Sequence, residues 1–174
     1  MPIDEDAVTR YFVDLVRSKI GDQLATMSVG GVPTPAVIKT RVGKQIPDYP
    51  YVVVSQIDRV NTTPLNMHSE VGVNNLTSYT RIENLMYQFR VIGANANNIT
   101  NNLHQFFDIP TVLDLVRTDT EGAIRTVSKI TPLPVSIGGD YVESAYFTIN
   151  WSSYNSIEDA DSGLIETITL TYNP

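Results

Sequence analysis

The chain has 174 residues, enough for one domain with a substantial core, and its 42% hydrophobic and 18% charged content is ordinary for a soluble globular protein. A formal net charge of −7 argues against a nucleic-acid backbone as the main partner, because phosphate binding takes clustered Lys and Arg. With no cysteine there is no disulfide, thiolate metal site or cysteine nucleophile, and no apolar run approaches the roughly 18 residues that span a membrane.

The start, Met1-Pro-Ile-Asp-Glu-Asp6, is acidic where a signal peptide is basic, so export by a signal sequence is not expected. Residues 4–20 then predict the clearest helix. Ala7, Val8, Tyr11, Phe12, Leu15, Val16 and Ile20 form a stripe too wide to leave in water, which must dock on other structure. Asp4, Glu5 and Asp6 suit the positive end of its dipole, Arg17 and Lys19 the negative end, and Gly21 its stop.

From Gly21 to Pro50 the pattern dissolves among Gly30-Gly31, Pro33, Pro35, Gly43, Pro47 and Pro50, with a short strand expected at 36–42. Lys39, Arg41 and Lys44 make this segment locally basic. It reads either as a solvated edge guarded by lysines or as a subunit contact. Residues 51–60 predict a strand, β-branched and aromatic. The Asn-, Thr- and Ser-rich stretch 61–78 reads as a long projecting hairpin or an unstructured loop. Its Asn66, Met67, His68, Val71, Val73 and Leu76 are candidate partner contacts.

Next comes the organising stretch, 79–107. Leu85, Tyr87, Phe89 and Val91 alternate with Met86, Gln88, Arg90 and Ile92, a strand with one face more apolar than the other. Gly93 breaks the run, Asn95 and Asn97 offer N-caps, and Ile99, Leu103, Phe106 and Phe107 recur at helical spacing. A second short helix is expected at 111–117, with Pro110 in its first turn and Val112, Leu113, Leu115 and Val116 on its apolar side. Strands are expected at 123–130, 141–154 and 164–172, joined by turns at 136–140 and 155–163 into an antiparallel meander. The fold class is therefore α+β: a single domain, residues 1–174, with a mixed, largely antiparallel sheet. The N-terminal and central helices pack on one face of it, and long loops project.

A search for chemistry finds little. The two histidines lack a catalytic setting: His104 sits in a helix as a structural residue, and His68 has no carboxylate beside it in sequence. No nucleophile elbow, phosphate-binding glycine loop or zinc-binding His pair occurs, and both Gly-Gly pairs read as turns. Glu158, Asp159 and Asp161 cluster, but without the spacing of a calcium loop, and read as a solvated acidic hairpin tip open to partners. Glu143 and Glu166 on adjacent strands would make a carboxylate pair, neutralised by Arg90, Arg125 or Lys129 if those lie close. No cofactor or metal is expected.

The N-terminal helix, Pro47-Asp-Tyr-Pro-Tyr-Val-Val53, Tyr87-Gln-Phe-Arg-Val-Ile-Gly93 with its Asn/Ala-rich helix start, Leu133-Pro134 and Phe147-Thr-Ile-Asn-Trp151 together resemble the neck or tail-terminator proteins of long- and contractile-tailed bacteriophages. The likeness covers most of the chain and rests on structural signatures. It implies a structural virion protein, not an enzyme, that forms a hexameric ring, caps the finished tail tube and joins the tail to the head connector. The implied partners are further copies of the chain, tail-tube and sheath proteins and the head-completion protein, with DNA passing through the lumen without specific binding and no membrane involved. Assembly would take place in the host cytoplasm. Two alternatives stay open: a tail-tube or head-completion (stopper or adaptor) protein of the same neck, and a small hydrolase or ligand-binding module using tyrosines, Trp151 and the carboxylates.

Overall fold

The computed structural model describes residues 4–40, 46–61, 68–71, 77–137 and 139–159. It opens with helix α1 (Glu5–Ile20), whose N-cap Asp4 accepts a hydrogen bond from the Ala7 backbone N–H at 3.0 Å, with Glu5 and Asp6 in its first turn. Val8, Phe12, Val13, Leu15, Val16 and Ile20 are buried, so the stripe read from the sequence is the docking face. A 3₁₀ turn, Gly21–Gln23, follows.

The segment from 21 to 40 is more ordered than its composition suggests. Strands β1 (Thr26–Val29) and β2 (Val32–Pro35) form a two-residue hairpin across Gly30 and Gly31. Both glycines have positive φ, +59° and +84°, which this kind of tight turn requires. Polar and proline residues hide the strand period there. The short strand expected at 36–42 is β3 (Val37–Lys39), and it runs parallel to β4 (Tyr51–Asn61).

Among the described residues the main sheet has seven strands. Its central path is β3, β4, β6 (Thr77–Ile92), β11 (Ser144–Asp159), β7 (Gly122–Val127). Strand β5 (His68–Val71) continues beside β6, and β8 (Thr131–Pro132) beside β11. All pairings in the sheet are antiparallel except β3 with β4. The backbone of the fold is the β6–β11 ribbon, paired without interruption from Ile92↔Ser144 to Thr77↔Asp159. Sixteen residues per strand span about 50 Å.

Gly93, at φ +126°, turns β6 toward helix α2 (Ala96–Phe106). A Cβ on Gly93 would lie 2.8 Å from the Pro50 Cα, so this turn and the chain before β4 fit together only with glycine. Asn95 occupies the N-cap position, as its sequence suggests, but its side chain makes no capping bond. Asn97 is inside the helix and is itself capped: its N–H donates to Glu143 Oε1 at 3.1 Å. That acceptor lies 46 residues away in sequence, out of reach of any local capping rule. Helix α3 (Pro110–Thr120) carries Pro110 in its first turn. It buries Val112 and Val116, while Leu115 on the expected apolar side is 43% exposed.

The C-terminal third differs from a simple meander. β7 and β11 are antiparallel neighbours as expected, but β11 also pairs with β6 along its whole length. The turn near 136–140 links β9 (Val135–Ile137) to β10 (Asp140–Val142), a separate small hairpin and not the direct link to β11. The turn expected from 155 is also corrected: β11 continues as strand through Asp159, held by its register with β6. The strand expected at 164–172 lies outside the described residues.

The core sits between the sheet and α1 and α2. Leu85, Tyr87, Phe89 and Val91 from β6 face the helices with Phe147, Ile149 and Trp151 from β11 and Val52 and Val54 from β4. Under the first turn of α1, Glu83 is fully buried, and Arg59 Nη2 donates to its Oε2 at 3.0 Å. Arg59 also pairs with Glu5, and Gln56 Nε2 donates to the same Glu5 carboxylate at 2.8 Å. This network fastens the start of the helix to β4 and β6 and supplies the charge that a buried carboxylate needs.

Two outcomes test this packing. A Cβ at Gly122 would fall 2.2 Å from Cζ2 of the Trp151 indole, whose Nε1 donates to Thr120 Oγ1 at 2.9 Å. Gly122→Ala should therefore cost about 1–3 kcal/mol in urea unfolding, and an unchanged midpoint would refute the contact. Burial pushes the Tyr87 hydroxyl up to about 12 from its ordinary 10.0. At this hydroxyl the unfolded chain binds fewer protons than the folded one between those values, so its contribution to stability is constant below about pH 10 and falls as pH rises from 10 through 12. At pH 11, midway between the two values, Tyr87→Phe should remove about 1.4 kcal/mol of that alkaline loss. Urea midpoints of both proteins at pH 8 and pH 11 check it.

Candidate interaction surfaces

The helices cover one face of the sheet. The other face is lined by Val53 and Ser55 of β4, Met86, Gln88 and Arg90 of β6, and Tyr146, Thr148 and Asn150 of β11, all half-buried. Strand alternation produces this division, since each neighbour of a core residue must point away from the core. Arg90 is the one charge among these eight, and its Nε donates to Ser144 Oγ at 2.9 Å. The face is therefore hydrogen-bonding and carries little charge, with Asp58, in register with Met86, adding one carboxylate in its β4 row.

At the end of the sheet where β6 finishes and β11 begins, a second small cluster builds up on this face. Ala36, Tyr51 and Ile92 are buried, with Ala25, Met27, Ile38, Val53 and Val142 packed against them. The β1–β2 hairpin and the β9–β10 hairpin are thus both rooted there. They leave large apolar side chains in water: Val29 and Val32 on the first, Tyr141 on the second, and Leu133 just before it. Burial pushes the Tyr51 hydroxyl at this root above its ordinary value, with Tyr49 stacked beside it.

The opposite end is a ribbon. β4 leaves β6 at Asn61↔Glu83, and β5 takes its place from His68↔Thr80 to Val71↔Thr77. From Glu83 to Thr77 the β6–β11 pair extends about 20 Å, with β5 beside it over the last half, from Thr80 to Thr77. The register aligns Val71, Thr77 and Asp159 in one row and Glu70, Ser78 and Glu158 in the next.

Four of the residues singled out in the sequence are gathered here: His68 and Val71 in β5, Glu158 and Asp159 in β11. Glu158 and Asp159 are strand residues, which corrects their reading as an acidic turn. Lys39 lies elsewhere, on β3. Its Nζ sits 3.7 Å from Asp6 Oδ1 and donates to the Asp6 backbone oxygen at 3.4 Å, so it ties the edge strand to α1. Arg41, Lys44, Asn66, Met67, Val73, Leu76 and Asp161 lie outside the described residues. The exposed tips at Val29, Val32 and Tyr141 were missed in the sequence, where the one available signal was a charge-free run around Gly30-Gly31.

Two residues weighed for chemistry, His104 and Glu143, make structural contacts. His104 Nε2 is 3.0 Å from the Ser128 carbonyl oxygen, Nδ1 is 3.5 Å from Asp108 Oδ2, and the ring meets Phe147 edge-on. Glu143 caps α2, while its proposed companion Glu166 lies outside the described residues. Among the described residues no three His, Cys, Asp or Glu side chains group to hold a metal ion, and no helix is long and apolar enough to cross a membrane.

A search of curated proteins returns no match to the chain. The model of one protein family, described as phage neck terminator protein, matches residues 6–173, from the first turn of α1 to the penultimate residue. The match spans the helix-covered core, both hairpins and the ribbon, so the chain belongs to the phage neck terminator protein family, whose members are structural components of the phage neck.

Proposed function

We propose that the chain is a tail terminator whose copies close into a hexameric ring, cap the finished tail tube and provide the face on which the head connector docks. The observation that carries this reading is the family match over residues 6–173. The fold supports it: one sheet face is sealed by helices, and the other is open, carries little charge and has a hairpin pair at one end and a strand ribbon at the other, as a part that works by shape requires.

In this reading the β5–β6–β11 ribbon reaches toward neighbouring proteins of the neck, the tube and sheath on one side and the head-completion protein on the other. His68, Val71, Glu158 and Asp159 lie at its far end; Asn66, Met67, Val73, Leu76 and Asp161 are close in sequence to these strands, and Arg41 and Lys44 fall in sequence between β3 and β4. DNA passes through the lumen without being held, consistent with a chain of net charge −7. The protein is assembled in the host cytoplasm and carried in the virion. Its role needs no cofactor and no catalytic residue.

Purified chain mixed with isolated tail tubes should bind at tube ends alone, with about six copies per end in mass photometry and a collar visible in electron micrographs. Binding along the tube wall, or absence from tube ends at all concentrations, would refute the assignment. Open-ended tubes formed by the chain itself would assign it as a tube protein instead.

A further inference from the structure

We propose that the tip of the β1–β2 hairpin is the knob with which one copy of this chain grips the next, an inference that rests on the ring reading and names its contact. Val29 and Val32 face each other across the turn and are 46% and 59% exposed. A Cβ placed on Gly30 or Gly31 would meet nothing within 4 Å, so the tip stands clear of the described chain.

Its base is held. The Ala25 N–H donates to the Pro50 carbonyl at 2.8 Å, the Ala36 N–H to the Ala25 carbonyl at 2.8 Å, and the Val52 N–H to the Ala36 carbonyl at 2.9 Å, while Met27 packs into the second cluster. An apolar tip on a fastened stem loses little conformational freedom on binding.

Charge identifies the occupant. From Gln23 through Ile38 there is no charged residue, in a chain whose net charge is −7. Two identical acidic surfaces repel, so copies of this chain approach most readily where neither carries charge. A tube or connector protein of different sequence would place no such demand on the hairpin, because its own charge is free to complement this one.

The prolines define the kind of contact. In a two-residue hairpin Val29 and Val32 form the closing hydrogen-bonded pair, so the nitrogens of Pro33 and Pro35 point away from β1. Having no N–H there, the outer edge of β2 resists strand addition. The contact is therefore made by side chains: the two valines insert into the adjacent copy, head to tail, as a closed ring requires.

The test uses the full chain with isolated tail tubes. Val29→Glu/Val32→Glu changes two exposed positions and should leave the melting temperature within a few degrees. It should weaken association between copies by about tenfold or more, read in mass photometry as tube ends that still carry the chain but with fewer than six copies. Because the chain has no cysteine, Val32→Cys carrying an environment-sensitive dye gives a second readout: its emission should shift to the blue on collar formation. Unchanged collars from the double variant, or a dye that stays in water within the collar, would overturn the inference and leave the terminator reading intact. Tube ends that carry no copy of the double variant, or six-copy collars that no longer bind the head, would also overturn it, assigning the tip to those partners. Failure of the unsubstituted chain to collect at tube ends would overturn both.

Discussion

Phe89 is the residue on which the packing converges. Its ring stacks on Phe147 of the neighbouring strand at 5.3 Å and meets Phe107, just past α2, at 5.2 Å and Phe12 of α1 at 5.7 Å. Phe12 in turn touches Tyr87 at 4.9 Å. Two strands and both covering helices thus share one aromatic cluster, whose ring contacts add about 0.5–1.5 kcal/mol each beyond the area they bury. The positions of α1 and α2 follow from this cluster, and it fixes which face of the sheet remains open.

Polar groups refine what the aromatic cluster places. Glu83, Arg59, Glu5 and Gln56 fasten the first turn of α1, while Arg17 Nη2 donates to the Val37 carbonyl at 3.0 Å toward its end. Glu143, lying between β10 and β11, fastens the start of α2. The helices are pinned at points where a purely apolar stripe would permit sliding. The uncovered face is left to mostly neutral side chains, with Arg90 and Asp58 among them, and to two hairpins that expose apolar residues, a distribution that suits a structural part of the phage neck.

Periodicity made much of the fold legible. Phe12 and Val16, Leu85 through Val91, and Phe147 through Trp151 mark their elements by local spacing, and spacing survives folding because the core must bury one face of each element. Proline and glycine hid the β1–β2 hairpin, since the same residues that build a tight turn and protect an edge erase the strand signal. Glu158 and Asp159 resembled a turn because acidic residues favour loops, yet pairing with Ser78 and Thr77 holds them in a strand. Partner contacts were the least legible, for they depend on which side chains the finished shape leaves outside.

The sequence by itself determined that α1, β6, α2 and β11 exist and which of their faces are apolar, because both are properties of nearest neighbours along the chain. Only the tertiary structure decided that β11 lies between β6 and β7, that Glu143 caps a helix 46 residues before it, and that the two hairpins share one root at the end of the open face. Those features depend on distances between residues far apart in the chain, and such distances are set when the core closes, not by local preference.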